Sequence, residues 1–252
     1  MMLVDTHCHL DAQEFDPDRN DVIERSRQAG VGAFVIPAVE RRAFEKVLAI
    51  CGENLDCYPA LGIHPMYVDD AVIEDIDALR AKALEVTAIG EIGLDFFVEH
   101  YDRERQILFF EAQLKLAREF DLPVLLHVRR SQDAVLSSLR KIRVKGGIAH
   151  AFNGSFQQAE EFIKLGFKLG FGGAMTYDRA TRIRSLARDL PLECIVLETD
   201  SPDMPPSFIG KTRNSPEYLP KIAAVLAELR NMTAGELAIV TTENAMNVLE
   251  LE

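Results

Sequence analysis

Cysteine is scarce in this 252-residue chain, and the four present (Cys8, Cys51, Cys57 and Cys194) are scattered, with no C-x-x-C pair. A disulfide scaffold is excluded, and buried, reduced thiols are expected, because a free cysteine behaves as a small hydrophobe. Long apolar runs are also missing, so no segment approaches the ~18 uninterrupted apolar residues that mark a membrane span. The opening MMLVDTHCHLD puts acid and histidine where a signal peptide needs a basic stretch and an apolar run. A soluble, cytoplasmic protein with no obligate protein partner is expected. Basic charge is short too: 28 Lys and Arg against 40 Asp and Glu give −12. That excludes the basic stripe with which proteins grip long nucleic acid, so any phosphate must be held locally. Neither a G-x-G-x-x-G nor a Walker pattern accompanies GFGG (170–173), whose expected role is to keep side chains off the floor of a site.

What is present is a repeat of β-rich runs and amphipathic stretches. Strands are expected at 3–10, 33–39, 57–65, 87–95, 123–129, 146–152, 168–176 and 194–200. Their spacing, roughly 20 to 35 residues, leaves room for one helix between each pair. In 103–120, Ile107, Phe110, Leu114, Ala117 and Phe120 recur at steps of three and four, predicting one buried stripe. Ser155 with Gln158 and Thr233 with Glu236 predict capping boxes before helices at 156–165 and 234–249. Ser215 followed by Pro216 predicts a cap before 216–230. No linker or composition shift divides the chain, so one domain over 1–252 is expected.

Polar chemistry recurs at the ends of the expected strands: His7 and His9, His64, Glu91, His127, His150 and Asp200. Of six histidines, only His100 falls in a loop. Ligands drawn from so many strands meet only if the strands surround a common axis, so the α/β units should close into a (β/α)₈ TIM barrel with a metal site at the C-terminal face. An open doubly wound sheet would offer only the strands beside its switch point. His7-Cys-His9, read as a strand, sends both imidazoles to one face, which suits two ligands on one cation. Glu91 and Asp200 are charges within apolar runs, costly to bury unless paired or metal-bound. Asp5 and Glu198 share faces with His7 and Asp200, and either orient a ligand or are buried against a backbone partner. Arg129 and Arg130 follow His127 at the mouth and Lys211 and Arg213 lie in the long loop after the last strand, where guanidinium suits phosphate, a solvated surface position being the alternative for each.

The ordered set VDTHCHLD, GIHP, GEIGLDF, LLHVR, IAHAF and ETDSP resembles the TatD family of metal-dependent hydrolases, in the amidohydrolase-like barrel superfamily. The resemblance runs over about residues 3 to 250, and ETDSPDMPP with GGAMTYDRA is most similar to its YjjV-like branch. It implies a deoxyribonuclease or phosphoester hydrolase with two divalent cations. His7, His9 and Asp200 would hold one, His127 and His150 the other, and Glu91 would bridge them. His64 would meet the scissile phosphate, with Arg129 and Arg213 as further substrate contacts. One departure is Ala151 in His150-Ala-Phe152, expected to face away from the axis by strand alternation.

The chemistry follows from the donors as well. Two cations about 4 Å apart activate a water and stabilise both oxygens of a phosphoryl transfer. Asp200 is the expected general base and Glu91 its catalytic partner. Mixed histidine and carboxylate donors suit Zn²⁺ or Mn²⁺, and Mg²⁺ if waters complete its shell. The resemblance makes the expected substrate a phosphoester, DNA ends above all, cut exonucleolytically. Hydrolysis of an amide, a lactone or a small phosphoester on the same barrel is an alternative, as is a non-catalytic metal-binding protein. Glu91 stands where many amidohydrolase relatives carry a bridging lysine, which favours the phosphoester branch.

Overall fold

The computed structural model describes residues 2–251. Eight strands form one parallel sheet in chain order: β1 (Leu3–Asp5), β2 (Val31–Pro37), β3 (Cys57–Leu61), β4 (Ala88–Asp95), β5 (Val124–Arg129), β6 (Gly147–Ala149), β7 (Phe167–Phe171) and β8 (Ile195–Leu197). Helices α1 (Arg19–Ala29), α2 (Phe44–Glu53), α3 (Glu74–Lys82), α4 (Arg103–Glu119), α5 (Gln132–Lys141), α6 (Phe156–Lys164) and α7 (Thr181–Asp189) fill the crossovers. Two more, α8 (Leu219–Leu229) and α9 (Ala234–Leu249), follow β8. The ring closes between its first and last strands through Thr6 N–H to Leu197 O (3.1 Å) and Asp200 N–H to His7 O (2.8 Å). Eight parallel strands in a nearly closed barrel, ringed by helices, are the (β/α)₈ fold.

Strand alternation sorts the core. Val4, Val35, Ala60, Ala88, Leu125, Ile148 and Val196 form one buried cluster, shared with Ala245 and Leu249 of α9. Their neighbours, Leu3, Phe34, Ile36, Leu61, Val124, Leu126 and Leu197, belong to the larger cluster packed under the helices. The first set is the barrel interior, and α9 plugs it. The expected stripe of α4 is buried at Phe110, Leu114 and Ala117, the two larger side chains contributing about 1.5–3 kcal/mol each.

Two buried glutamines on α4 align the strand ends that build the site. Gln113 takes Ile63 N–H (2.7 Å) and donates to Ile63 O (3.1 Å). Gln106, two turns earlier, does the same to Asp95 N–H and O at 2.9 and 3.1 Å. Both capping boxes form as expected. Ser215 does not cap: it precedes a 3₁₀ turn, Pro216–Tyr218, and its buried Oγ lacks a partner.

The strands are shorter than the sequence pattern suggests. Only Glu91 and His127 lie within strands; His7, His9, His64, His150 and Asp200 all follow strand ends. The 3–10 run leaves the ladder after Asp5 yet keeps bonding alternately to both sides, Thr6 to Leu197 O and Cys8 to Val35 O. Residues two apart in a regular strand bond to the same side, so the strand period is broken here, and the chain turns His7 and His9 to the site after Val4 has faced the barrel interior. The period breaks again after β6: Ala151 adopts a left-handed φ of 45°, so it lines the cleft instead of facing away. The β4–β5 register slips between Ile89 and Ile92, a bulge that contains Glu91, and the Gly90–Glu91 peptide is cis.

Candidate metal centre

A cleft of about 1010 Å³ opens at the C-terminal ends of the strands, lined by His9, His64, Glu91, His127, His150 and Asp200, with His7 buried beneath. Glu91, 2% exposed, stands at its centre. Its Oε2 faces His7 Nε2 (3.2 Å) and His9 Nε2 (3.6 Å), and both imidazoles also face Asp200 Oδ1, at 3.8 and 3.5 Å. Its Oε1 faces His127 Nδ1 (2.9 Å), His150 Nε2 (3.0 Å) and His64 Nε2 (3.5 Å). One carboxylate thus separates the imidazoles into two sets. The sets overlap three compact donor groups: His7 with His9 and Glu91, His7 with His150 and Asp200, and His64 with Glu91 and His127.

Fixed partners on the far side of each ring decide which nitrogen carries the proton, since a neutral imidazole has one donor and one acceptor. His9 Nδ1 lies 3.2 Å from the carbonyl of Pro37, which can only accept, so the lone pair sits on Nε2, in the site. His127 Nε2 donates to Asp95 Oδ2 (3.0 Å), leaving the Nδ1 lone pair towards Glu91. His64 is the reverse. Its Nδ1 accepts the N–H of Met66 (3.2 Å), so Nε2 carries the proton and is a donor. Burial, then the charge of His127, pushes His64 down to about 4, so it is neutral near pH 7.

The donor set fits divalent cations. With the tautomers above, the lone pairs of His9 and His127 point at carboxylate oxygens, acceptor against acceptor, which is repulsive unless positive charge lies between. In the cation-free protein a proton does that. Burial pushes His9 down, but the hydrogen bond and charge of Asp200 outweigh it and hold the imidazole up at about 9. Burial likewise pushes the Glu91 carboxyl up, and the surrounding imidazoles reverse this and hold it well below its usual range. Asp200 is held low in the same way, chiefly by His9 against the pull of burial. Anionic carboxylates opposed to inward lone pairs are a ligand shell for a cation with a preference for N and O donors.

Around this shell lies a ring of supports that sequence reasoning saw only in part. Asp5 is fully buried, takes Thr199 N–H and Oγ–H (2.9 and 2.6 Å), and is pushed up to about 8 by burial. It ties β1 to the Asp200 loop, where Asp200 itself has a left-handed φ of 55°. Glu198 accepts the N–H of Ala151 at 2.6 Å and reaches within 3.7 Å of His150 Nδ1. It has that room because Gly170 carries no side chain: a Cβ there would lie 2.1 Å from Glu198 Oε2. Asp95 escaped the sequence analysis. The signal was present in GEIGLD, an acid at the end of β4 on the alternation of Glu91. Burial pushes the Asp95 carboxyl up, but hydrogen bonds from His127 and Phe97 N–H hold it below its usual range.

Arg129 lines the cleft as expected. Arg213 does not. It donates to both oxygens of Asp18 (2.9 and 2.7 Å), bonds Glu14 O and lies over the Phe15 ring, because an acidic partner reaches it before any substrate. Arg130 and Lys211 are likewise absent from the lining. Among the described residues, no helix is long and apolar enough to cross a membrane.

Comparison with known proteins agrees with this architecture. The chain matches the family of TatD related DNases over residues 4–250. It is 41% identical to an uncharacterized metal-dependent hydrolase of Escherichia coli K12, YjjV, over 98% of each chain. It is 34% identical to the 3′-5′ ssDNA/RNA exonuclease TatD of Erwinia tasmaniensis, over 99% of this chain and 100% of that one. The solved structure of the E. coli YjjV protein superposes with a TM-score of 0.96 at 39% identity, covering 99% of this chain and 98% of that one. The barrel, its buried histidine and carboxylate centre and this full-length kinship make one statement: the chain belongs to the TatD family of metal-dependent hydrolases.

Proposed function

We propose that the protein is a two-cation phosphodiesterase that works on nucleic-acid strands near an end. The observation that carries the proposal is the division of the imidazoles between the two oxygens of Glu91. His7, His9 and Asp200 would hold one cation and His127 and His150 the other, with Glu91 bridging. Zn²⁺, Mn²⁺ or Mg²⁺ bound there would activate a water and stabilise the attacking and leaving oxygens of a phosphoryl group. Asp200 borders the cleft and is held in its anionic form, so its Oδ atoms can take the proton of that water. His64 cannot offer a lone pair to a cation without giving up its bond to Met66 N–H, so its Nε2–H, now 3.5 Å from Glu91 Oε1, would turn to donate to a phosphate oxygen. Arg129 adds charge at the lip. Support for a nucleic-acid substrate comes from the exonuclease name of the Erwinia relative, and for a strand end from the shape of the site, since a pit accepts an end more readily than a stiff duplex.

The test is to strip the purified protein with chelator, titrate it with each of the three cations, and assay bis(p-nitrophenyl) phosphate, single-stranded oligonucleotides and a panel of esters and amides. Two ions per chain, with cleavage of phosphodiesters and oligonucleotides, are expected. A single ion at saturation, or turnover of amides or lactones with phosphodiesters inert, would overturn the proposal.

A further inference from the structure

We propose that Arg129, which lines the cleft, and Arg130 and Phe97, which stand just outside its lining, form a phosphate subsite beside it that holds the phosphate next to the one being hydrolysed. The proposal rests on the phosphodiesterase assignment above. Consecutive residues of a strand point to opposite sides, and β5 ends at Arg129, so Arg130 should point away from its neighbour. Arg130 instead adopts a left-handed φ of 55°, and its guanidinium reaches the same aromatic ring as that of Arg129. Both guanidinium carbons lie over the same ring: Arg129 Cζ is 3.9 Å and Arg130 Cζ 4.5 Å from the centroid of Phe97. Phe97 is 45% exposed, so it is no part of the core, and its ring is a cation–π partner for both guanidiniums.

These two cations lack strong carboxylate partners. The nearest to Arg129 is Asp95 Oδ2 at 3.8 Å, already engaged by His127 at 3.0 Å, and no carboxylate lies within 4.0 Å of Arg130 among the described residues. Asp95 therefore lies between His127 of the candidate cation centre and Arg129, which places Arg129 one group away from that centre. The facing lip has the opposite character. In an eight-stranded ring β5 stands across from β1, and the loops after β1, β2 and β8 supply Asp11, Glu14, Glu40 and Asp203. Cations on that side are spoken for, Arg42 by Glu40 (2.5 Å) and Lys46 by Asp16 (2.7 Å). A chain of phosphates is repelled from the acidic lip and attracted to the arginine lip, so it enters from the β4–β5 side. Planar guanidinium forks suit phosphate oxygens, and a fork already ordered on a ring loses less freedom on binding.

The test uses the cation-loaded full chain and four substrates: bis(p-nitrophenyl) phosphate, a dinucleotide with one internal phosphodiester, and the same dinucleotide with an added 5′- or 3′-phosphate. One of the two phosphorylated isomers should be preferred over the plain dinucleotide by about 10-fold or more in kcat/KM, mainly through KM, the size of one charge-assisted contact. Arg130→Gln and Phe97→Leu should each collapse that ratio, while Phe97→Tyr, which keeps the ring, should retain it. Because the readout is a ratio between substrates, loss of folded protein cancels. In an Asp200→Asn background, Arg130→Gln should also make oligonucleotide binding less salt-dependent, the log–log slope shrinking by about 0.7. Equal use of all dinucleotides by the unaltered protein, or a ratio that survives both Arg130→Gln and Phe97→Leu, overturns the subsite alone. If no phosphodiester is cleaved while another ester or an amide is, the phosphodiesterase assignment falls and the subsite with it.

Discussion

Replacing Asp95 by asparagine exchanges an acceptor for a donor at one buried atom, and the consequences can be followed to the cleft. Asp95 is fully buried and makes two side-chain bonds, Oδ1 from Phe97 N–H (2.9 Å) and Oδ2 from His127 Nε2–H (3.0 Å). Asparagine fits the same space and keeps the first bond through its carbonyl oxygen. Its NH₂ then faces His127 Nε2–H, donor against donor. The imidazole escapes by moving its proton to Nδ1, but Nδ1 is the atom 2.9 Å from Glu91, so the lone pair leaves the site. Residues that orient a histidine ligand in this way typically carry 10–100-fold of metal affinity. That range corresponds to about 1.4–2.8 kcal/mol. The cation-free fold should lose about 1.5–3 kcal/mol as well, the worth of a hydrogen bond to a charged group. Competition with a chromophoric chelator should therefore show one ion weakened by 10–100-fold and the other, on the His7 and His9 side, changed by much less. Equal weakening of both ions would show that Asp95 supports the whole barrel mouth, and no weakening would refute the tautomer argument.

Other substitutions separate the roles of the remaining residues. Glu91→Ala should release both ions together, since its two oxygens face both imidazole sets; metal analysis showing one ion still tightly held would remove its bridging role. Asp200→Asn should lower turnover on the order of 10²-fold or more while substrate still binds, because an amide is a poor base; a near-normal rate would place the base elsewhere. His64→Ala should cost more in phosphodiester turnover than in ion content, and parallel loss of the two would make His64 a ligand. Gly170→Ala should destabilise the fold by about 1–3 kcal/mol, as overpacking does, by driving Glu198 off Ala151 N–H; an unchanged urea midpoint would show that Glu198 has somewhere to move.

The sequence alone determined the strand count, the stripe on α4, two capping boxes and the side chains that meet in the cleft. These depend on local period and on the cost of burying charge, and both are written in the order of residues. It overestimated the strands because the apolar-and-polar pattern runs on past Asp5, where the ladder ends and the chain bends. It misjudged Ala151, whose left-handed turn no alternation rule anticipates. The tertiary structure decided what each polar atom meets. Arg213 looked free for substrate until the fold brought Asp18, 195 residues away in sequence, against both of its forks. His9 and His64 look alike in sequence, yet a carbonyl from β2 turns the lone pair of one into the cleft and the N–H of Met66 turns the proton of the other into it. Periodicity fixes the face on which a side chain stands, but hydrogen bonds between distant segments fix its partner, and in this site the partner decides whether an imidazole accepts a cation or donates a proton.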